Sequence, residues 1–364
     1  MITVLITACG GPSSLSFSRS LRDADPHGNK YKLIGTDCDK FNIHRAECDE
    51  VYLCPKANDP LYIPFIINLI EDKAVDVLHS QPEVEAYIIG KNRERITRTG
   101  CKLFMPDQDI IELFRDKASS YHLWKEAGIK VPENIELNNE NDLKIAFDKF
   151  GSDIWIRETI GAAGKGALSR PNYETALNHL NSNNSWGYSV AAEHLTSKTI
   201  TWQSIWYQGD LIVAQGRERL YWAFGNRAQS GVTGLTGTGV TVSDSELDNL
   251  SQQCILSATK KPHGIFSVDF TYDNNGVPNP TEINIAKFFT THHFITKTGC
   301  NMPEIFIDLA LGKFEGVKNK LNPCEDDMCW IRGIDIEPIL LPMKEINNKV
   351  EQYKKTISSL QPLS

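Results

Sequence analysis

Apolar residues in the first hundred positions follow two alternating rhythms. Residues 2–7 are a short, nearly continuous apolar run, as expected of a strand covered on both faces. Gly10-Gly11-Pro12-Ser13-Ser14 then leads into a helical pattern through Leu21. Residues 31–35 and 75–78 read as further strands, with a helical stripe at 63–70 between them. Strands alternating with helices predict a doubly wound parallel sheet over the amino-terminal part. Past Met105-Pro106-Asp107 the pattern lengthens into helices at 110–114 and 118–126, the latter closed by Gly128 and Pro132. Strand patterns dominate from 154 to 285 and suggest a mixed or antiparallel sheet. A helix at 302–311 stops at Gly312, and a strand is expected at 329–335. Ile346, Val350, Tyr353, Ile357 and Leu360 then recur at helical spacing, as a packing face would.

The most informative local feature is Asn275-Gly276, set between two alternating runs. Both central residues of a two-residue hairpin loop need positive φ, which Asn-Gly tolerates. Taking 275–276 as that loop pairs residue 274 with 277 and sets Asp269 opposite Glu282, with Asn284 on the same face. Pro278 and Pro280 then fall where a missing N–H costs the ladder nothing. Phe266, Val268, Phe270, Ile283 and Ile285 take the other face, as core. Facing carboxylates repel unless something neutralises them. An Asp/Glu/Asn oxygen set suits Mg²⁺, with Mn²⁺ the alternative, completed by substrate phosphates. A solvated edge hairpin would carry the same residues.

Composition narrows the class. The 364 residues, 41% hydrophobic and 23% charged, fit two or three globular domains. A net charge of −8 argues against nucleic acid as a partner, and no apolar run reaches membrane-span length. The amino terminus reads as a strand, not a secretory leader. Nine cysteines without CxxC spacing point to free thiols in a reducing cytoplasm.

Four further segments carry candidate chemistry. Asp116-Lys117 opens a helix. Arg157 ends a strand that feeds Gly161-Ala-Ala-Gly164-Lys165-Gly166, a loop whose backbone N–H groups can close around phosphate, although its spacing is not that of a Walker loop. Glu193-His194-Leu195 reads as a strand leaving one domain, where an adenine can meet exposed backbone. Arg217 and Arg219 share one strand face and suit a carboxylate or phosphate. Each also has an ordinary reading: a capped surface helix, a flexible loop, a plain connection, a solvated basic edge.

Taken in order, these segments resemble the ATP-grasp superfamily. The nearest branch looks like the large-subunit repeats of carbamoyl-phosphate synthetase. The likeness runs from Thr7-Ala-Cys-Gly-Gly11 to Trp330-Ile-Arg-Gly-Ile-Asp335. It implies an α/β and α+β chain: a doubly wound domain at 1–108, a small lobe with the glycine-rich loop at 109–190, and a large lobe with the metal site at 191–320. Residues 321–364 would add a strand and a helix packing on the large lobe. It further implies that Lys117 and Arg157 contact ATP phosphates under a loop formed by Gly161, Gly164, Lys165 and Gly166. Glu193 and Leu195 would hold adenine, and Asp269, Glu282 and Asn284 would ligate Mg²⁺. Thr199 stands where the family has an acid contacting ribose. The family's Glu-x-Asn-Pro-Arg becomes Glu282-Ile-Asn284-Ile-Ala-Lys287, so Lys287 is the candidate for the missing arginine's work. Arg217 and Arg219 would hold the carboxylate or its acyl phosphate, and His292 and His293 are candidate acid/base groups. In this family the acceptor pocket draws on the amino-terminal domain, here residues 79–85.

The resulting expectation is an ATP-dependent ligase that activates a small carboxylate as an acyl phosphate and joins it to an amine, leaving room for a homodimer. Two rivals stand beside it. A non-catalytic ATP-binding sensor would explain the changes at Thr199 and Lys287. An NAD(P)-dependent oxidoreductase is suggested by Gly10-Gly11 and Asp37, although the full GxGxxG is absent.

Overall fold

Strands β1 (Ile2–Ile6), β2 (Tyr31–Asp37), β3 (Glu50–Leu53) and β4 (Val77–His79) form a parallel sheet in the order β3-β2-β1-β4. Val4, Leu5 and Ile6 are fully buried, because helices Pro12–Asp23, Tyr62–Lys73 and Glu83–Lys91 pack around this sheet. The structure is a computed structural model; it describes all residues except 162, 163, 165, 229, 315–319, 334–342, 363 and 364, and the side chains of 343, 344 and 346. The glycine turn after β1, where an oxidoreductase would seat its dinucleotide, is filled from within. A Cβ on Gly10 would lie 2.0 Å from the Asn42 carbonyl oxygen, and the Gly10 N–H donates to Asp37 Oδ2 at 3.3 Å.

The strand-rich stretch divides into two sheets. Strands β5 (Asn134–Glu136), β6 (Ile154–Glu158), β7 (Leu168–Ser169) and β8 (Ser189–Glu193) make an antiparallel sheet, ordered β5-β8-β6-β7. Helices Glu140–Phe150 and Tyr173–Ser182 close its core through Leu143, Ala146 and Leu180. The second sheet holds β9 (Thr199–Tyr207), β10 (Asp210–Trp222), β11 (Thr236–Val242), β12 (Gly264–Tyr272), β13 (Pro278–Ile285), β14 (Lys320–Leu321) and β15 (Cys329–Ile331). Its order is β13-β12-β9-β10-β11-β15, with β14 beside β10. Trp202 and Val268 share a buried cluster with Leu247 and Ile255 of helix Ser245–Leu256. Trp124 of helix Lys117–Glu126 donates its indole N–H to Cys254 O at 3.1 Å, which ties the helical segment to helix Ser245–Leu256.

Polar contacts along one helix set the amino-terminal domain in place. Helix Pro12–Asp23 meets the segment just after β13: Ser16 Oγ donates to Thr290 O at 2.9 Å, and Asp23 takes both His293 at 2.8 Å and Lys297 at 2.7 Å. The carboxy-terminal helix Met343–Ser358 does not pack on the large lobe as expected. It covers β3, with Lys349 Nζ donating to Val51 O at 3.2 Å and Tyr353 beside Tyr52 and Phe65. β3 is the outer strand of its sheet, and an apolar helix stripe shields such an edge. Of the expected stripe, the Ile346 side chain lies outside the described residues, as do 334 and 335 of the preceding strand. Among the described residues no helix is long and apolar enough to cross a membrane.

Candidate functional site

The β12–β13 hairpin pairs Asp269 with Glu282, but its loop differs from the expected two-residue turn. Asp273 N–H donates to Val277 O, and Asp273 Oδ1 accepts from Asn275 and Val277 N–H, each at 2.9 Å. The loop is therefore 274–276, one residue longer, because the Asp273 side chain closes it. A bulge between the Asp269 and Phe270 pairings restores the count. Bonding at 273/277 leaves Pro278 and Pro280 at non-bonded positions by alternation. The bulged Thr281 turns its carbonyl to Arg157, whose Nη2 donates to it at 2.7 Å.

Asp269 and Glu282 are neutralised from different sides. Glu282 Oε2 lies 3.4 Å from Lys117 Nζ and 4.0 Å from Arg157 Nη1. Burial pushes its carboxyl up, but Lys117, then Arg157 and Lys287, more than offset this and hold it down at about 2. Burial raises the Asp269 carboxyl from its ordinary value, against Arg219 and with Glu282's charge adding to the rise. Its two oxygens are fixed separately: Thr201 Oγ1 donates to Oδ1 at 2.5 Å and Asn284 Nδ2 to Oδ2 at 3.0 Å. Among the described residues no group of three or more His, Cys, Asp and Glu could hold a metal unaided. Two carboxylates and an amide oxygen instead fit a Mg²⁺ ion that keeps water and takes phosphate oxygens.

The remaining candidates fall into three groups. Arg157, Glu193, Leu195, Thr199 and Arg219 line one cavity of about 680 Å³ together with Asp269 and Glu282, between the small and large sheets. Trp155, Pro132 and Ala192 form its apolar end beside Leu195. Near the wall, Lys117 Nζ donates to Gly161 O at 2.7 Å, which anchors the start of the glycine loop. Gly164, at φ 67°, sits so close to the 231–234 loop that a Cβ would meet Val232 O at 2.5 Å. Gly166, at φ 73°, lies against Glu158; Lys165 lies outside the described residues. Ala286 turns the chain at φ 59° directly after β13, and the half-buried Lys287 follows it.

The third group is set back from the cavity. Arg217 shares its strand face with Arg219 but is fully enclosed, bonded to Thr201 at 2.6 Å and Thr236 at 2.5 Å and lying over Phe289. His292 is not brought to the cavity either. It packs on Phe288 and Phe17, its Nδ1 pairs with Phe289 O at 2.9 Å, and burial holds its pKa down at about 3. A buried neutral imidazole in an aromatic cluster is a packing group. His79, Ser80, Gln81 and Glu85 of the expected acceptor segment are likewise buried, with the His79 ring packed between Phe17 and the large-lobe rings of Phe288 and Phe306. Two residues not singled out from the sequence do join the site. Tyr121 Oη accepts from Arg157 at 2.5 Å, and Thr201 pairs across strands with both Asp269 and Arg217. Thr199 and Thr201 alternate onto one face of β9, but nothing local indicates which strands flank them.

Residues 4–104 match the family model described as PylC-like, N-terminal domain. No curated protein matches the chain in sequence at a significant level. Solved structures match its fold at low identity. N5-carboxyaminoimidazole synthetase from Staphylococcus aureus, complexed with ADP, is 17% identical with a TM-score of 0.65, covering 88% of this chain and 79% of its own. L-amino acid ligase from Bacillus licheniformis is 13% identical with a TM-score of 0.64, over 87% and 77%. The biotin carboxylase domain of Hydrogenobacter thermophilus 2-oxoglutarate carboxylase, in complex with MgADP, ADP and bicarbonate, is 17% identical with a TM-score of 0.62, over 86% and 70%.

Proposed function

We propose that this chain, whose fold is that of the ATP-grasp superfamily, is an ATP-dependent ligase that joins a small carboxylic acid to an amine. One observation carries the reading. Two facing carboxylates, Asp269 and Glu282, meet the cations of Lys117, Arg157 and Arg219 around a cavity large enough for a nucleotide and a second ligand.

In this reading adenine enters the apolar end beside Glu193 and Leu195, with Thr199 toward the ribose. Lys117 and Arg157 take the phosphates, and Gly161, Gly164 and Gly166 let the loop backbone approach them. Mg²⁺ held by Asp269, Glu282 and Asn284 would neutralise the phosphate charge when bound. Arg219 and Lys287 orient the acid, so that its carboxylate oxygen attacks the γ-phosphorus as the bond to ADP breaks. The amine nitrogen then attacks the acyl carbon, phosphate leaves with the bonding pair, and the amine loses a proton.

Hydroxylamine tests the sequence of events. It should yield a hydroxamate that requires ATP, Mg²⁺ and the correct acid, with ADP and phosphate released together across a panel of acids crossed with amines. Release of AMP and pyrophosphate would exclude the acyl phosphate route. A chain that binds ATP but forms no ADP with any pair would be the sensor.

A further inference from the structure

Arg217 and Arg219 are at most 9% exposed and stand side by side, which two like charges resist without fixed acceptors. Threonine hydroxyls supply them. Thr236 Oγ1 accepts from Arg217 Nη1 at 2.5 Å and Arg219 Nε at 3.1 Å. Thr201 Oγ1 accepts from Arg217 Nη2 at 2.6 Å and Arg219 Nη2 at 3.4 Å, and donates to Asp269 Oδ1. A hydroxyl has one proton and two lone pairs. Guanidinium only donates and carboxylate only accepts, so the partners of Thr201 fix its proton on Asp269 and use its whole capacity. Thr201 is 1% exposed and does not reach the cavity, whereas Asp269 and Arg219 both line it.

We propose that Thr201 is a positioning residue: its hydroxyl sets a metal-binding carboxylate and an anion-binding guanidinium relative to one another, so that cation and anion are held in one geometry. This rests on the ATP-grasp ligase reading of the site. It also assigns Arg217 a different part from Arg219. Arg217 touches no ligand; it holds the Thr201 hydroxyl from behind and adds a second fixed positive charge.

Thr201→Val is nearly isosteric and lacks the hydroxyl; Thr201→Ser keeps the hydroxyl and lacks a methyl. Mn²⁺ is titrated by electron paramagnetic resonance into each full-length protein holding ADP. In Thr201→Val the half-saturating Mn²⁺ concentration should rise about ten- to a hundredfold, the range over which outer partners tune metal ligands. ADP affinity in excess EDTA should change little, and Thr201→Ser should stay within about threefold of the unaltered chain in the Mn²⁺ titration. An unchanged titration in folded Thr201→Val overturns the assignment. So does a roughly tenfold loss in Thr201→Ser, which shows that the methyl and not the hydroxyl matters. If the valine variant does not fold, Thr201→Ala, which also lacks the hydroxyl, is titrated in its place, and an unchanged Mn²⁺ titration in it overturns the assignment in the same way. Failure of the unaltered chain to bind ADP is a separate outcome, and it overturns the ligase reading together with this inference.

Discussion

Glu282→Gln separates two opposite expectations for the metal-free protein. As one of two facing carboxylates, Glu282 should repel Asp269, and its loss should leave stability level or higher. The structure surrounds it instead with Lys117 at 3.4 Å, Arg157 at 4.0 Å and the charge of Lys287. These cations outweigh burial and hold the carboxyl at about 2 against a usual 4.5. Such a shift corresponds to about 3 kcal/mol of stabilisation at neutral pH. The side chain keeps 29% exposure, so screening by solvent reduces this to roughly 1–3 kcal/mol. A depressed folded-state pKa stabilises above the unfolded value, so the contribution is present above pH 4.5 and lost as the pH falls toward about 2. In EDTA at pH 7 the variant should melt a few degrees lower than the unaltered chain. Near pH 3 the gap should fall to about half. ATP turnover should disappear at every pH. A melting point equal to or above that of the unaltered chain would refute the cation-cage argument, and retained turnover would remove Glu282 from the metal site.

Glu85 tests burial in the amino-terminal domain. Burial pushes its carboxyl up to about 7, more than the Thr7 hydrogen bond lowers it, so the stability it contributes is full below pH 4.5 and is lost as the pH rises to about 7. Glu85→Gln should therefore gain on the unaltered chain across that window in urea titrations, by at most about 3 kcal/mol. The buried histidines are common to both proteins and cancel; a difference independent of pH would refute the point. The two arginines should separate cleanly. Arg217→Lys leaves bonded threonines without partners and should lose roughly 3 kcal/mol of stability. Arg219→Lys should keep its melting point nearer the unaltered value and lose about ten- to a hundredfold in kcat/KM for the acid. Equal melting losses in the two variants would contradict their different placements.

The sequence by itself determined the elements whose pattern is written within a short stretch of chain. Alternating apolar runs and helical stripes predicted the parallel amino-terminal sheet, because a strand covered on both faces must be apolar throughout. Asn275-Gly276 marked the hairpin, and Asp269 does face Glu282. That facing survived a loop one residue longer than expected because the bulge at Thr281 restores the count. Neither the side-chain closure by Asp273 nor the bulge is written in the hydrophobic pattern. Tertiary structure alone decided which of several similar residues reach the cavity. Alternation gives Arg217 and Arg219 the same face, yet Thr236 on β11 and Thr291 after β13 enclose Arg217 while Arg219 stays on the wall. Lys287 stays half-buried, close enough for its charge to act on Glu282, whereas His292 is fully enclosed among aromatic rings. The Thr201 hydroxyl becomes visible only when β9 lies between β10 and β12, strands distant from one another along the chain. Local sequence fixes the face a side chain takes, because that depends on the alternation of one strand; what the side chain meets there depends on which distant strands flank it, and only the packed sheet decides that.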